Sequence, residues 1–536
     1  MSSYNHTTKT WNGPVDHGAL NPEANVGQVI LNLLARTPDK VIQINADTGY
    51  EMTCAEMKRR IVRVAINLRQ LGYSRGDLVT MVCTNTDNVV PVYVGCVCLG
   101  MVVNPLAPAF NRDDLAHMMR LTQSKVVFCD EGNFGVVKEA AADGILEKPR
   151  IYVMGTGREN AASVEELMAP VEGEEDFAAP YLGDSKRLMA VVLCSSGTTG
   201  LPKGVCLSHA HLIEGEVFAD VLNAGPIFNF SQLFWMTGLF AANTSLLYTR
   251  ARVITAQSFN VEAFMSIVEK YKVEDTFTPP ACIAAIQSHP RYPTVDFSSV
   301  KRWPLGGSPV SSELRESLAE RFPGIDIKPV YGCSEIGVVT SCMQPFVPGS
   351  VGTLGKNIVV KIVDEDGRSL GPNEKGEVLL KFKFQFLGYL NNEEKTKEAC
   401  DEEGFFKTGD IGYFDSEGYL YVIDRIKDII KYTNYQISPS DLEEVILKID
   451  GVKQVCVSGV PTEDRSSDLP TAMVVLQTGA NVTAKDIVRK VDAQVSDHKR
   501  LRGGVFFVDR LPTSPAGKVL RRVVKEMLID MSKSSS

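Results

Sequence analysis

A loop of small and hydroxyl-bearing residues at positions 195–204 is the segment of this chain best suited to chemistry. It follows an apolar run at 188–193 that predicts a buried strand. Backbone N–H groups in such a loop can surround a polyphosphate, and a lysine adds a mobile positive charge. Its spacing differs from G-x-x-x-x-G-K-[ST], and a flexible linker is the alternative interpretation. The candidate phosphate-binding residues are Ser195, Ser196, Gly197, Thr198, Thr199, Gly200 and Lys203.

Further motifs with chemical potential follow this loop in order. In the segment Tyr-Gly-Cys-Ser-Glu, Tyr331 can stack on a base, Ser334 can donate to a phosphate, and Glu335 can hold Mg²⁺ through oxygen. Asp410, in Lys-Thr-Gly-Asp, can bind ribose hydroxyls. Taken singly, each has a structural explanation, such as a core aromatic or a turn residue. The remaining motifs are Asp424-Arg425-Ile426-Lys427 and the loop 512–518, which ends in Lys518.

The composition excludes several functional classes. The 536 residues carry a net charge of −9, which argues against nucleic acid as a bulk electrostatic partner. The length predicts about three or four structural units. The 12 cysteines lack C-x-x-C spacing, so we expect reduced core residues. The seven histidines form no ligand cluster with cysteine, and a zinc site is not expected.

We expect no signal peptide and no integral membrane segment. The longest uncharged stretch, 89–103, is too short to span a bilayer. The final residues, Ser-Lys-Ser-Ser-Ser, lack the S-K-L peroxisomal address. A cytoplasmic location is therefore the expectation, with the peroxisome as the alternative, and the oligomeric state stays open.

The spacing of apolar residues predicts an α/β fold with two domains. Strand-like runs at 78–83, 125–129 and 149–154 alternate with helical segments such as 88–99, which favours parallel sheets covered by helices. Short strands between 352 and 388 predict a small antiparallel barrel. Beyond position 424 a β-α-β alternation begins again. We therefore predict a large N-terminal domain at 1–423, with several subdomains, and a small mobile α+β domain at 424–536.

The ordered set of motifs resembles the adenylate-forming superfamily of acyl-CoA synthetases, 4-coumarate–CoA ligases and beetle luciferases. The resemblance covers about residues 40–525. Segments 431–436 and 501–509 look most like insect luciferases and luciferase-like acyl-CoA ligases. This resemblance implies an ATP-dependent acid–CoA ligase that uses Mg²⁺, coenzyme A and a small carboxylic acid, and that proceeds through an acyl-adenylate.

The resemblance also implies roles for individual residues. Lys518 would bridge the substrate carboxylate and the α-phosphate, as a compact charge on a flexible stem. Lys427 matches a hinge position, about which the small domain would turn to bring Lys431 to the site for thioester formation. The phosphates, adenine, ribose and Mg²⁺ would contact the 195–203 loop, Gly307, Ser308, Tyr331, Gly332, Ser334, Glu335, Asp410, Val422 and Arg425. The CoA-facing residues would include Asn434 and Gln436.

Two departures from the family pattern bear on substrate and thioester formation. Thr433-Asn434 stands where a glycine is usual, and the added bulk puts efficient thioester formation in question. Trp235 and Met236 replace a usual histidine, and apolar walls suit a hydrophobic acyl chain. With Gly238 and Gly306 they form the predicted acyl pocket, although ordinary core packing would also explain them.

The leading prediction is a ligase acting on medium- or long-chain fatty acids or arylpropenoates. A luciferase-type monooxygenase is the main alternative, which the missing histidine disfavours. A carrier-loading adenylation protein and a non-enzymatic nucleotide-binding relative are weaker alternatives. The first is disfavoured because no carrier segment is evident, and the second because Glu335, Asp410, Arg425 and Lys518 are all present.

Overall fold

The computed structural model describes most of the chain, with short gaps. The described residues are 2–15, 23–143, 147–156, 161–195, 202–214, 225–308, 310, 312–341, 347–384, 386–433, 435–462, 467–513 and 519–535. The predicted site residues Ser196, Gly197, Thr198, Thr199, Gly200, Asn434 and Lys518 lie outside them.

The described helices are α1 (Val26–Arg36), α2 (Cys54–Gln70), α3 (Val89–Cys98), α4 (Arg112–Thr122), α5 (Phe134–Ala141), α6 (Val164–Leu167), α7 (His209–Glu214), α8 (Met236–Leu247), α9 (Val261–Tyr271), α10 (Pro280–Gln287), α11 (Ser312–Arg321), α12 (Glu393–Glu398), α13 (Pro439–Leu447), α14 (Ala484–Asp492) and α15 (Arg521–Ser535).

The described strands are β1 (Ser3–Asn5), β2 (Thr10–Asn12), β3 (Val41–Asn45), β4 (Glu51–Thr53), β5 (Leu78–Val82), β6 (Val102–Pro105), β7 (Val126–Cys129), β8 (Arg150–Val153), β9 (Ala162–Ser163), β10 (Met189–Ser195), β11 (Lys203–Ser208), β12 (Ile227–Phe228), β13 (Arg252–Ile254), β14 (Asp275–Thr276), β15 (Leu305–Gly306), β16 (Pro329–Val330), β17 (Gly332–Cys333), β18 (Gly337–Val338), β19 (Thr340–Ser341), β20 (Thr353–Leu354), β21 (Ile358–Val363), β22 (Gly376–Phe382), β23 (Phe406–Phe414), β24 (Leu420–Arg425), β25 (Ile430–Tyr432), β26 (Tyr435–Ile437), β27 (Val452–Pro461), β28 (Asp468–Leu476) and β29 (Gly504–Phe507).

Two mostly parallel sheets form the first part of the fold. The larger has the order β11-β10-β6-β5-β7-β8-β9, and only β11 runs antiparallel to its neighbour. The smaller has the order β14-β12-β13-β3-β4, with β4 antiparallel. Helix α3 is buried at every position, because it lies inside the fold and not on its surface. The predicted parallel sheets covered by helices are confirmed.

A six-stranded antiparallel sheet, β1-β2-β21-β22-β23-β24, occupies the place of the predicted small barrel. It is larger than the 352–388 segment, since β1 and β2 pair onto β21 and β23 and β24 extend the other side. Buried Trp11 stacks on Phe414 with ring centroids 4.6 Å apart, which anchors the N-terminal strands. This sheet ends at Arg425, one of the predicted site residues.

The C-terminal part has its own small sheet, β27-β28-β29, packed against helices. Two buried apolar clusters are made only of residues beyond 429, among them Leu442, Val474 and Leu528. Separate cores are what a distinct unit requires. The division at 423/424 stays a prediction. Among the described residues, no helix combines the length and apolar character needed to span a membrane.

Candidate active site

Three predicted nucleotide-contacting residues lie together at the end of the antiparallel sheet. Asp410 and Arg425 face each other in the β23–β24 pair, and the Arg425 Nε lies 3.1 Å from Asp410 Oδ1. The Tyr331 hydroxyl donates to the other carboxylate oxygen at 2.5 Å. Burial, together with the charge of Asp410, raises the pKa of Tyr331 well above its usual value, so this hydroxyl stays protonated and keeps its donor role. The cluster therefore offers an oriented aromatic ring beside a buried carboxylate.

The parallel pair β15–β16 also ends at this cluster, because Tyr331 directly follows β16. Strands β15 and β16 run parallel with Gly306 opposite Val330, so Gly307 and Tyr331 leave the sheet at the same end. A Cβ atom on Gly306 would lie 2.9 Å from the Val330 carbonyl oxygen, which explains a glycine there by close backbone packing. Gly307 itself has a φ of +88°, a backbone angle that favours glycine.

Glu335 lies in the turn between β17 and β18. Residues Gly332 and Val338 pair across this hairpin, and a Cβ on Gly332 would lie 2.4 Å from the Gly337 carbonyl oxygen. Ser334 is half-buried in the same turn. The tight hairpin therefore holds the serine and the glutamate in a short, constrained loop directly after Tyr331.

The half-buried Glu335 carboxylate has an unusual electrostatic environment. Burial raises its pKa, and this outweighs the opposing effects of a hydrogen bond from Tyr389, 2.9 Å long to Oε1, and of the charges on Arg425 and Lys203. A cation brought close to a carboxylate whose pKa is raised by burial stabilises its ionised form. Its oxygen ligand chemistry fits Mg²⁺.

The phosphate-loop candidates are placed at both of its ends. Ser195 and Lys203 pair across β10 and β11, as a hairpin connection requires. Lys203 Nζ lies 4.9 Å from the centroid of the Tyr389 ring, and His117 Nε2 lies 3.0 Å from the Pro202 carbonyl oxygen. The base of the loop is thus brought next to Glu335 through Tyr389.

Sequence reasoning missed Tyr389. Its hydroxyl partner is 54 residues away in the chain, and no motif spacing joins the two. The local sequence offers only a Gly388-Tyr389 pair after an apolar segment, and such a pattern is common in ordinary structural positions. His211 was also missed: its Nδ1 lies 2.9 Å from the Phe384 carbonyl oxygen, and burial lowers the pKa of His211 to about 4, so the ring is neutral.

The acyl-pocket candidates Trp235 and Met236 are half-buried where helix α8 begins. A Cβ on Gly238 would lie 1.9 Å from the Gln232 carbonyl oxygen, so close packing of the loop onto the helix accounts for this glycine. The same helix reaches the Glu335 turn, because a Cβ on Gly337 would lie 3.0 Å from the Phe240 ring. The helix is therefore next to the site, and the lining roles stay predictions.

The hinge and CoA candidates lie beyond the sheet edge. Lys427 is exposed and follows β24, whereas Val422, a predicted ATP-binding residue, is half-buried within β24 opposite Gly412. Lys431 and Gln436 pair across the β25–β26 hairpin, where Thr433 has a φ of +52°. The Gln436 side chain donates to Glu365 Oε1 at 3.1 Å. None of the contacts described for exposed Lys431 is to the Glu335 or Asp410 clusters.

Comparison with known proteins agrees with this geometry. Residues 32–390 match the family model described as AMP-binding enzyme, and residues 441–518 match that of the AMP-binding enzyme C-terminal domain. The chain belongs to this family, and the predicted adenylate-forming superfamily is confirmed.

Individual relatives cover nearly the whole chain. It is 30% identical over 508 residues to 4-coumarate–CoA ligase 1 of Petroselinum crispum, which covers 91% of each protein. It is 29% identical over 520 residues to luciferin 4-monooxygenase of Photinus pyralis, covering 93% of each. Its structure matches ATP-bound MatB from Rhodopseudomonas palustris with a TM-score of 0.85 at 25% identity, over 95% of this chain and 100% of that one.

Proposed function

We propose that this enzyme is an AMP-forming acid–CoA ligase that joins a hydrophobic carboxylic acid to coenzyme A. The observation that carries the proposal is the meeting of Tyr331, Asp410 and Arg425 with the Glu335 turn at one end of the fold. The family and its CoA-ligase members support this enzyme class.

The first half-reaction needs positioning more than a protein nucleophile. A carboxylate oxygen of the acid attacks the α-phosphorus of ATP, and the bond to the β-phosphate breaks to release pyrophosphate. Asp410 and Tyr331 would hold the nucleoside, and Lys203 the phosphates. A Mg²⁺ ion held by Glu335 would neutralise phosphate charge.

The second half-reaction forms the thioester. The CoA sulfur attacks the acyl carbonyl carbon, the bond to the phosphate oxygen of AMP breaks, and the thiol proton passes to solvent. We assign Lys431 and Gln436 to this step and Lys518 to the first, following the resemblance to the family. Turning of the small domain about Lys427 would exchange them.

The acid is proposed to be a medium- or long-chain fatty acid or an arylpropenoate. Trp235 and Met236 support an apolar pocket, since neither side chain carries a charge and both are half-buried at the start of helix α8. The similarity to luciferin 4-monooxygenase keeps an oxygenase as the second candidate.

A carboxylate panel with ATP, Mg²⁺ and CoA tests the proposal. Fatty acids of several lengths, cinnamates and luciferin are each supplied, and pyrophosphate and CoA thioester are followed together. Both products from a fatty acid or cinnamate are the expected result. Pyrophosphate without thioester would contradict the ligase, and light from luciferin would favour the oxygenase.

A further inference from the structure

Tyr389 contacts both charged groups that the proposed function assigns to Mg–ATP, Lys203 to the phosphates and Glu335 to the Mg²⁺ ion. Its hydroxyl donates to Glu335 Oε1 at 2.9 Å. The ammonium of Lys203 lies 4.9 Å from the centroid of its ring, within the range of a cation–π interaction. One side chain therefore touches a carboxylate through its edge and an ammonium through its face.

The backbone around Tyr389 is tied to the strand that carries Lys203. Tyr389 bridges Val205 of β11, and the Leu390 N–H donates to the Gly204 carbonyl at 2.8 Å. The Tyr389 N–H donates to the Thr396 hydroxyl at 2.9 Å. These bonds leave the ring little freedom relative to the end of the phosphate loop.

Lys203 and Glu335 do not pair with each other. Within the described part of the chain, no carboxylate oxygen lies within 4 Å of Lys203 Nζ. A free lysine beside a half-buried glutamate would gain by closing onto it. The phenol ring gives each charge a separate partner and so holds them apart.

We propose that Tyr389 is a positioning residue that keeps Glu335 and Lys203 from pairing and so presents Lys203 to the phosphates and Glu335 to the Mg²⁺ ion of Mg–ATP. This inference rests on the proposed function. The hydroxyl acts on Glu335 and the ring face acts on Lys203, so the two contacts can be removed one at a time.

The test measures ATP binding by calorimetry, once with MgCl₂ and once with EDTA. Tyr389→Phe removes only the hydroxyl, so ATP binding should weaken about 10-fold with Mg²⁺ and less than about 2-fold in EDTA, the scale expected for one hydrogen bond to a charged group. Tyr389→Leu also removes the ring and should weaken binding in both conditions. If Tyr389→Leu fails to fold, Tyr389→Phe alone decides.

A double-mutant cycle separates positioning from general structure. In a Glu335→Gln background, Tyr389→Phe should change ATP affinity less than about 2-fold, because the charge it orients is gone. In the single variant Tyr389→Phe, the rate of thioester formation from a preformed acyl-adenylate should equal that of the wild type. Additive effects, equal weakening in Mg²⁺ and EDTA, or a loss of both half-reactions would overturn the proposal.

Tyr50→Phe is the matched control. The Tyr50 hydroxyl also donates to a carboxylate, that of Glu56, and the Arg60 guanidinium lies 5.6 Å from its ring centroid. This variant should bind ATP like the wild type. ATP binding can be measured without a carboxylic acid, so this test is independent of the acid. A wild type that binds Mg–ATP but releases no pyrophosphate with any acid of the panel would contradict the proposed function. The ATP affinities of the variants would still decide the role of Tyr389.

Discussion

Two clusters in this molecule contain the same three kinds of side chain: a tyrosine, a glutamate and a cation. In the first, Arg60 Nη2 lies 2.6 Å from Glu56 Oε1, and Tyr50 donates to that same oxygen. In the second, Tyr389 donates to Glu335 and carries Lys203 on its ring, but the two charges do not meet. We call the Tyr50–Glu56–Arg60 cluster closed, because its glutamate and cation form an ion pair, and the Tyr389–Glu335–Lys203 cluster open, because its glutamate and cation do not.

The pKa of each glutamate records this difference. Burial raises both, but in Glu56 the hydrogen bonds from Tyr50 and Arg60 outweigh it and the pKa ends below its usual value. In Glu335 burial prevails and the pKa ends above it. A closed cluster stabilises the fold, whereas an open one keeps charge available for a ligand at some cost in stability.

Local geometry explains which cluster closes. Glu56 and Arg60 lie four residues apart on helix α2, a spacing that puts their side chains on one face. Glu335 lies in a hairpin turn and Lys203 at the start of a strand, and both backbones are held by pairing within their own hairpins. Neither backbone can move toward the other without breaking strand pairs, so only side-chain movement could close this cluster, and the Tyr389 ring stands in its way.

The largest effect is expected from replacing a third cation, Lys518. Unlike Arg60 and Lys203, it is proposed to act only on the substrates. Lys518→Ala should slow pyrophosphate release by about 100-fold or more, the scale of one lost transition-state charge. Thioester formation from a preformed acyl-adenylate should be spared, and Lys431→Ala should show the reverse. Quenched-flow assays of each half-reaction measure both, and unchanged pyrophosphate release in Lys518→Ala would contradict the assignment.

Exchanging each glutamate for its amide tests whether the open cluster is the functional one. Glu335→Gln should slow adenylate formation by about 100-fold, because it removes the charge that would hold Mg²⁺. Glu56→Gln should change that rate less than about 3-fold. The measurement is ATP–pyrophosphate exchange with the acid from the carboxylate panel that releases most pyrophosphate. Equal losses of rate in the two variants would show that the open cluster has no special role in adenylation.

The closed cluster should matter for stability instead. Tyr50→Phe removes a hydrogen bond to a charged carboxylate and should lower the free energy of unfolding by about 1–2 kcal/mol. Urea denaturation followed by fluorescence measures this, with adenylation activity as the control. A variant as stable as the wild type would show that the Tyr50 bond is not a stabilising contact.

The smallest effect is a pair of opposite pH trends in metal-free buffer. Glu56 has a lowered pKa when folded, so its stabilisation exists above the ordinary glutamate pKa of about 4.3 and is lost as pH falls. Glu335 has a raised pKa, so its favourable contribution is complete below that value and is lost as pH rises through the folded pKa.

The difference in unfolding free energy between wild type and Glu56→Gln should therefore grow between about pH 3 and pH 6, and that between wild type and Glu335→Gln should shrink. Urea titrations across this range provide the measurement. Trends of the same sign in both variants would mean that the two carboxylates share one environment.

Much of the architecture could be predicted from apolar periodicity. The helix expected at 88–99 is observed at Val89–Cys98, and the strand expected at 125–129 at Val126–Cys129. Helix α13 begins at Pro439 after a Ser438 cap, as local helix signals require. Pairing of the N-terminal strands onto β21 was not predicted, because its partners lie some 350 residues apart in the chain.

The candidate site divides in the same way. Tyr331, Glu335, Asp410 and Arg425 were recognised because each sits in a short motif whose chemistry is local. The assignment of Gly238 and Gly306 to a pocket stays a prediction; a Cβ atom on them would lie 1.9 Å and 2.9 Å from a backbone carbonyl oxygen, a close approach that only the fold reveals. Tyr389 carries no motif of its own, and its links to Lys203 and Glu335 depend on tertiary contacts: the pairing of residues 388–390 with β11 and the hydrogen bond from its hydroxyl to Glu335.

The order of the motifs, the identity of their side chains and the succession of strands and helices are properties of the chain, because each depends on residues close in sequence. Which charges close into ion pairs and which stay open is a property of the folded molecule. Glu56 and Glu335 are the same residue type beside a tyrosine and a cation, yet their pKa values move in opposite directions. Helix geometry brings the Glu56 partners together, whereas distances of a few ångströms between remote backbone segments set the outcome for Glu335, since electrostatic energy depends on separation and burial.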